Sequence, residues 1–210
     1  MSKVWFIADL HIGHAKVANY RTKGWILPSY LGAQVDAHDR ALANNWDNTI
    51  GVDDVVWVLG DISSGSTGGQ RAALSWLKVR PGRKRLIAGN HDGVHPLHRD
   101  AHKWADEYSQ AFEYVASGAR IRIPLAPPGH MSALLSHFPY TGDHTDTDRH
   151  AQWRLRDEGM PIIHGHTHSV TPLSWSLGPA SMQIHVGVDA HELHPVPMSW
   201  VTERIQKAYR

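Results

Sequence analysis

Five short clusters of acids, amides and imidazoles punctuate this chain: Asp9-Leu10-His11, Gly60-Asp61, Gly89-Asn90-His91-Asp92, Ser136-His137 and Gly165-His166-Thr167-His168. Each offers oxygen or imidazole nitrogen, and none offers sulfur, because Cys is 0. Such hard-to-borderline donors suit Mn, Fe, Zn, Ni or Co and not soft copper(I). In an extended chain, residues two apart project to one side. Asp9 with His11, and His166 with His168, are therefore expected to converge in pairs. Gly60, Gly89 and Gly165 would let backbone approach such a centre closely. Each cluster alone has a bland alternative. Gly-Asp is uninformative, His-x-His is often a surface feature, and Gly-Asn-His-Asp can be a turn closed by an Asx bond. Their joint occurrence in this order is what points to metal chemistry.

The elements that must position them are short. Val4–Ala8, Val55–Leu59 and Lys84–Ala88 are continuous apolar runs of the kind buried in parallel sheets. Each ends at one of the clusters, and open α/β sheets build their sites outside the carboxyl ends of their strands. Asp36 is expected to cap a helix running to about Ile50, and Gln70–Val79 has helical spacing stopped by Pro81-Gly82. Residues 21–33 read as a loop, and roughly 100–116 as a helix. Beyond that point strands dominate. Arg120–Pro124 and Met182–Val188 alternate, while Ser132–Ser136 and Pro161–His164 are short and apolar. A last helix is expected at about 198–209. This grammar predicts an α/β fold in which parallel β/α units are completed by a second, strand-rich sheet.

Length and composition bound the function. At about 150 residues per domain, 210 residues favour one domain over 1–210. The absence of Cys excludes disulfides and thiolate-bound zinc or iron–sulfur sites. Net charge is +1, which gives no field for wrapping duplex DNA or gripping an anionic membrane. The apolar run at Val4–Ala8 is too short for a secretion signal, and no window approaches a spanning length. The expectation is a cytoplasmic protein with no membrane and no obligate nucleic-acid partner; nothing assigns an oligomeric state. His is unusually frequent, 17 of 210 residues, in keeping with imidazole–carboxylate metal sites.

The five clusters, in this order, resemble those of the calcineurin-like metallophosphoesterases over about 9–168. Asp9-Leu10-His11-Ile12-Gly13-His14 and Ser136-His137-Phe138-Pro139-Tyr140 look most like small bacterial and phage members, which would place the protein in a host cytoplasm if phage-encoded. Gly187-Val188-Asp189 and Pro195–Val201 are similar to the ends of such proteins. The resemblance implies a two-sheet β-sandwich flanked by helices, with two divalent transition-metal ions at one end. One metal would take Asp9, His11, Asp61 and His168. The other would take Asp61, Asn90, His137 and His166, with Asp61 bridging. His91 would face the phosphate as general acid or charge stabiliser.

Elementary chemistry agrees with that division. Two cations about 3.5–4 Å apart need a bridging anion, and water held between them becomes a nucleophile at neutral pH. Imidazole is suited to proton transfer in that range. Asn90 as a neutral ligand limits the negative charge around an anionic substrate. One departure stands out. The protein phosphatase branch has an Asp-Arg pair after its Gly-Asp motif, which orients the catalytic His. Here the chain reads Gly60-Asp61-Ile62-Ser63-Ser64-Gly65. Asp92 is left as the candidate to orient His91.

His14, His144 and Arg149 are the candidates for substrate contact. The first lies three residues past His11, and the others lie in the polar loop 139–150 between two cluster-bearing strands. His164 is expected to be structural. His38, His95, His98, His102, His130, His150, His185, His191 and His194 are expected at surface or satisfied polar positions. The functional expectation is a dimetal phosphodiesterase, Mn²⁺ being the first candidate metal, for a small phosphodiester or nucleotide such as a 2′,3′-cyclic nucleotide. The alternatives are a nuclease or nucleotide pyrophosphatase and, from another class, a non-catalytic binding module on the same scaffold.

Overall fold

Alternating burial along the strands organises the whole molecule. In the computed structural model, which describes residues 2–126 and 129–209, strand β1 is Val4–Ile7. Trp5 and Ile7 enter one apolar core, while Phe6 and Ala8 just beyond enter another. β2 (Val55–Val58) and β3 (Arg83–Ile87) alternate in the same way, Val56, Val58 and Leu86 against Trp57 and Ile87. A sheet covered on both faces needs apolar residues at consecutive positions, which is why these runs are continuous.

The first sheet also contains β4 (Tyr114–Ala116) and β10 (Val196–Pro197), in the order β10-β1-β2-β3-β4. All its pairings are parallel except that of β10 with β1. One face is packed by α2 (Ala33–Thr49), α3 (Thr67–Lys78) and α4 (Ala105–Ser109) through Leu42, Trp46, Leu74, Leu77 and Tyr108. The other face meets the second sheet. That sheet has β5 (Ala119–Leu125), β6 (Gly129–Leu135), β7 (Ile162–His164), β8 (Leu173–Trp175) and β9 (Met182–His185), in the order β5-β6-β7-β9-β8. Helix α5 (Met198–Ala208) closes this core with Val201 and Ile205. A bridge between Ala8 and Gly187 joins the two sheets at the rim where β1 ends.

Some expected elements differ. The helix expected over 100–116 is a 3-10 turn at Ala101–Trp104, then α4, then β4. Trp104, Tyr108 and Phe112 keep a helical spacing, but β4 gains more by extending the sheet beside β3, and pairing overrides local pattern. Asp36 does not cap α2. Gly32 does, at φ 94°, while the Asp36 carboxylate lies in the first turn and accepts from the Tyr30 hydroxyl at 2.7 Å. A short helix, α1 (Ala15–Arg21), precedes the expected loop, and β9 stops at His185 rather than Val188.

Candidate metal centre

The cluster residues gather at one rim. Asp9 and His11 follow β1, Asp61 follows β2, and Asn90 and His91 follow β3; His137 follows β6, and His166 and His168 follow β7. The first two loops stay paired past the strands, with Asp9 N donating to Gly60 O at 3.1 Å and His11 N to Asp61 O at 3.0 Å.

The backbone there is not extended. Asp9, His11, Asp61, His166 and His168 have φ of 58°, 48°, 55°, 71° and 49°. Residues other than Gly rarely adopt this left-handed region, and each costs about 1 kcal/mol or more. The chain therefore coils at each cluster, which corrects the expectation that His166 and His168 converge by strand alternation. They diverge. His168 stacks beside His11 with ring centroids 5.0 Å apart, while His166 meets His137 at 5.2 Å. Two glycines admit this crowding. A Cβ on Gly60, at φ 86°, would stand 2.5 Å from His137 Nδ1, and one on Gly165 would stand 2.6 Å from Ala8 Cβ and 2.8 Å from Asp9 Oδ2.

Each imidazole is pinned through one nitrogen. His11 Nδ1 donates to Ser63 O at 3.1 Å, His137 Nδ1 to Leu59 O at 2.7 Å, His168 Nδ1 to Asp189 Oδ2 at 2.9 Å and His166 Nε2 to Asp143 Oδ2 at 2.9 Å. A neutral ring that donates at one nitrogen presents a lone pair at the other. The other nitrogens of His11 and His168 meet, and that of His137 faces a carboxylate. His11 Nε2 and His168 Nε2 are 3.1 Å apart, and His137 Nε2 lies 3.4 Å from Asp61 Oδ2. Buried acceptors facing acceptors are unfavourable unless a proton or a cation lies between them. The donor set therefore fits metal ions. Asp9, His11 and His168 form one group with ligand atoms within 4.8 Å, and Asp9, Asp61 and His137 form another. Asp61 Oδ2 is 3.9 Å from both His11 Nε2 and His91 Nε2, so its carboxylate lies between the two halves.

The electrostatics follow from burial and crowding. Burial pushes the Asp9 carboxyl up, but His185, His168 and His137 override it and hold the group well below the usual carboxylate range. Asp61 is likewise lowered by His137 and His11 against the opposing effect of burial. Burial drives His11 down to about 3, and burial with the charge of His137 drives His166 down to about 3. His137 goes the other way. Burial opposes its charge, yet Asp61 lifts it to about 9.

The remaining expected residues separate. His91 has a side chain 42% exposed, and its backbone N–H donates to Asp61 Oδ1 at 2.8 Å. It faces the cleft beside the carboxylate. Asp92 does not orient it, which corrects the role expected for Asp92. The Asp92 carboxylate turns inward and accepts from the backbone N–H groups of Asp61, Ile62 and Gly89 at 2.9, 3.0 and 2.8 Å. Burial, reinforced by Asp61, pushes this carboxyl up to about 7. The loop at Gly65 walls the His91 ring instead, since a Cβ there would stand 3.3 Å from its Nδ1. His14 and His144 line the cleft over His11, His91 and His168. Arg149 is captured by Asp143, through Nη2 at 2.9 Å and Nε at 3.2 Å, and its Nη2 also lies 3.0 Å from His144 Nδ1.

Several residues of the site escaped sequence reasoning. Asp143 lies in the polar loop, which carried a signal, but nothing distinguished it from Asp146 or Asp148. Asp189 follows Gly187-Val188, where only the resemblance drew notice. Arg21 clamps it with Nη2 at 2.6 Å and Nε at 2.8 Å, and no sequence signal marked that arginine. His150 lies beside His166 with ring centroids 5.9 Å apart. His185 is buried with both ring nitrogens unpartnered and Nε2 3.6 Å from Asp9 Oδ2, so it is not the satisfied polar residue expected.

A two-sheet sandwich with carboxylates and imidazoles gathered at its rim defines a metallohydrolase. A model of the calcineurin-like phosphoesterase family matches residues 2–170, and the chain belongs to that family of metal-dependent phosphoesterases. It is 56% identical over 192 residues to the gene 66 protein of Mycobacterium phage L5, covering 90% of this chain and 88% of that protein. It is 53% identical to the gene 66 protein of Mycobacterium phage D29 over 206 residues, covering 98% and 96%. Its fold is similar to the crystal structure of a protein of unknown function from Aquifex aeolicus, with a TM-score of 0.65 at 19% identity over 97% of this chain and 100% of the other. Among the described residues no helix is long and apolar enough to cross a membrane.

Proposed function

We propose that this protein is a phosphodiesterase that holds two divalent cations and hydrolyses small phosphodiesters, 2′,3′-cyclic nucleotides among them. The observation that carries the reading is the convergence of His11 Nε2 and His168 Nε2, 3.1 Å apart with each ring held through its other nitrogen. Asp9, His11, Asp61 and His168 would hold one cation; Asp61, Asn90, His137 and His166 would hold the other. Mn²⁺ is the first candidate, and Fe, Zn, Ni and Co suit the same donors. When bound, the cations draw charge from the phosphoryl oxygens and make water acidic enough to attack at neutral pH. His91 delivers a proton from Nε2 to the departing alkoxide, its ring being open to the cleft and its backbone tied to Asp61. His14 and His144 border the same cleft and contact the ester's substituents. The similarity to two phage proteins supports a reading in which this work is done in the cytoplasm of an infected cell.

The test is direct. The protein is stripped of metal and given Mn²⁺, then assayed on an aryl phosphodiester, the matching monoester and 2′,3′-cyclic AMP. Turnover should require metal, prefer the diesters and vanish in Asp61→Ala. It should fall by about 100-fold or more in His91→Ala. Preference for the monoester would overturn the diesterase reading, and full turnover in His91→Ala would overturn the role given to that residue.

A further inference from the structure

Helix α1 is seven residues long and faces two ways. Inward, Ala18 is fully buried and the Arg21 guanidinium bonds Asp189, the carboxylate that also receives His168 Nδ1. Outward, His14, Lys16, Val17 and Tyr20 form one wall of a cleft of about 660 Å³ whose floor includes His11, His91 and His168 and whose far wall carries His144 and Thr167. Clefts of this size enclose ligands of nucleotide dimensions. Lys16 and Tyr20 are four apart and so neighbours on one helix face. The Tyr20 side chain, on a residue 71% exposed, stands at the metal-facing cleft and also borders the next two hollows, where Lys23 and Trp25 repeat the pairing of a cation with an aromatic ring. Lys16 is exposed and lines this cleft, so its ammonium is available to a ligand. The acid that lines this cleft, Asp189, is already paired with Arg21.

An exposed aromatic face beside a cation, repeated one step farther from the chemistry, is the arrangement that takes successive bases and phosphates of a single strand. We propose that α1 is a nucleotide-recognition subsite, with Tyr20 stacking on the base of a nucleotide next to the scissile phosphodiester and Lys16 pairing with that nucleotide's own phosphate. The substrate class is then a short single-stranded oligonucleotide, a dinucleotide at minimum. This assignment rests on the phosphodiesterase reading for its catalytic readout but has a binding readout of its own.

The experiment compares a dinucleotide bearing a 5′-phosphate with its abasic analogue, using the Mn²⁺-loaded protein. Tyr20→Ala should raise KM for the dinucleotide about tenfold with kcat little changed, leave the abasic analogue unaffected, and be restored by Tyr20→Phe. Lys16→Met should raise KM for both and flatten its dependence on salt, and Lys16→Arg should restore it. Equilibrium binding of AMP by calorimetry is measured in parallel, and Tyr20→Ala should weaken it at least fivefold. Unchanged AMP affinity in Tyr20→Ala, or an equal rise in KM for the abasic analogue, would overturn the subsite. Loss of all turnover with AMP binding still sensitive to Tyr20 would overturn the phosphodiesterase reading and leave the subsite standing.

Discussion

His11 and His168 come from different sheets, yet their Nε2 atoms stand 3.1 Å apart. Each ring is locked by its far nitrogen, one on Ser63 O and the other on Asp189. Neither can rotate away from the other without losing that hydrogen bond, so the pair is organised before any cation arrives.

Metal should therefore stabilise the fold measurably. At a free Mn²⁺ concentration 100 times its Kd, the gain is about 2.7 kcal/mol, or several degrees in Tm. Because Asp61 lifts His137 to about 9, that ring carries a proton at neutral pH in the metal-free protein, and binding should release it. Calorimetry in buffers of different ionisation enthalpy reads the proton count. An Asp61→Asn protein that keeps its full metal-induced rise in Tm would contradict the central position of that carboxylate.

The Arg21–Asp189 clamp makes a second prediction. Asp189→Asn frees the His168 ring and should weaken metal binding about 10- to 100-fold. It also alters acid stability. Burial raises the Asp189 carboxyl, but His168 and Arg21 outweigh it and depress the group to about 2 in the folded state. A depressed carboxyl contributes stability that is complete above its unfolded value near 3.8 and lost as pH falls toward 2. The contribution is about 2 kcal/mol. Urea titrations of the metal-free protein should show wild type and Asp189→Asn well separated at pH 6 and drawing together below pH 3. A gap that does not narrow would reject the assigned cause.

Asp92 is predicted to act on folding rather than on proton transfer. Asp92→Ala leaves the N–H groups of Asp61, Ile62 and Gly89 without their acceptor. The expected loss is about 3 kcal/mol or more. A variant with unchanged midpoint in chemical denaturation but slowed turnover would restore the orienting role to this residue.

Gly165→Ala tests the close approach of the two sheets. The added methyl meets Ala8 Cβ and Asp9 Oδ2 at 2.6 and 2.8 Å, and both neighbours are fully buried. Overpacking of this kind costs about 1–3 kcal/mol. Displacement of Asp9 should also lower metal affinity, whereas Gly68→Ala, where no atom lies within 4 Å, should leave affinity unchanged.

How far the sequence carried these conclusions depended on the kind of signal. Val4–Ala8 and Val55–Leu59 announce themselves because burial on two faces demands unbroken apolar runs. The cluster residues that follow them are visible together, since each alone has a bland use but five in that order at strand ends do not. The left-handed backbone of Asp9, His11, Asp61, His166 and His168 was not visible. It arises from loops crowding one rim, which no window of sequence contains. The helix expected over 100–116 failed for a related reason: Tyr114–Ala116 is a strand only because β3 lies open beside it. Asp92 looked like a partner for its neighbour His91, but three strand-end amides lie on its other side. Arg21 and Asp189 are 168 positions apart, and only the fold brings them together.

The seam between the sheets has a mechanical consequence. Asp9, His11, Asp61 and Asn90 hang from one sheet; His137, His166 and His168 hang from the other. Between them the backbone is joined at the bridge from Ala8 to Gly187. The rim therefore works like the clasp of a book. Whatever cation these side chains grip also latches the covers, adding to the bridge and to the bond from His166 N to the Asp9 carboxylate that already hold that edge. Amide exchange in the loops after β1 and β7 should report the latch, fast when it is undone and slow when it is shut.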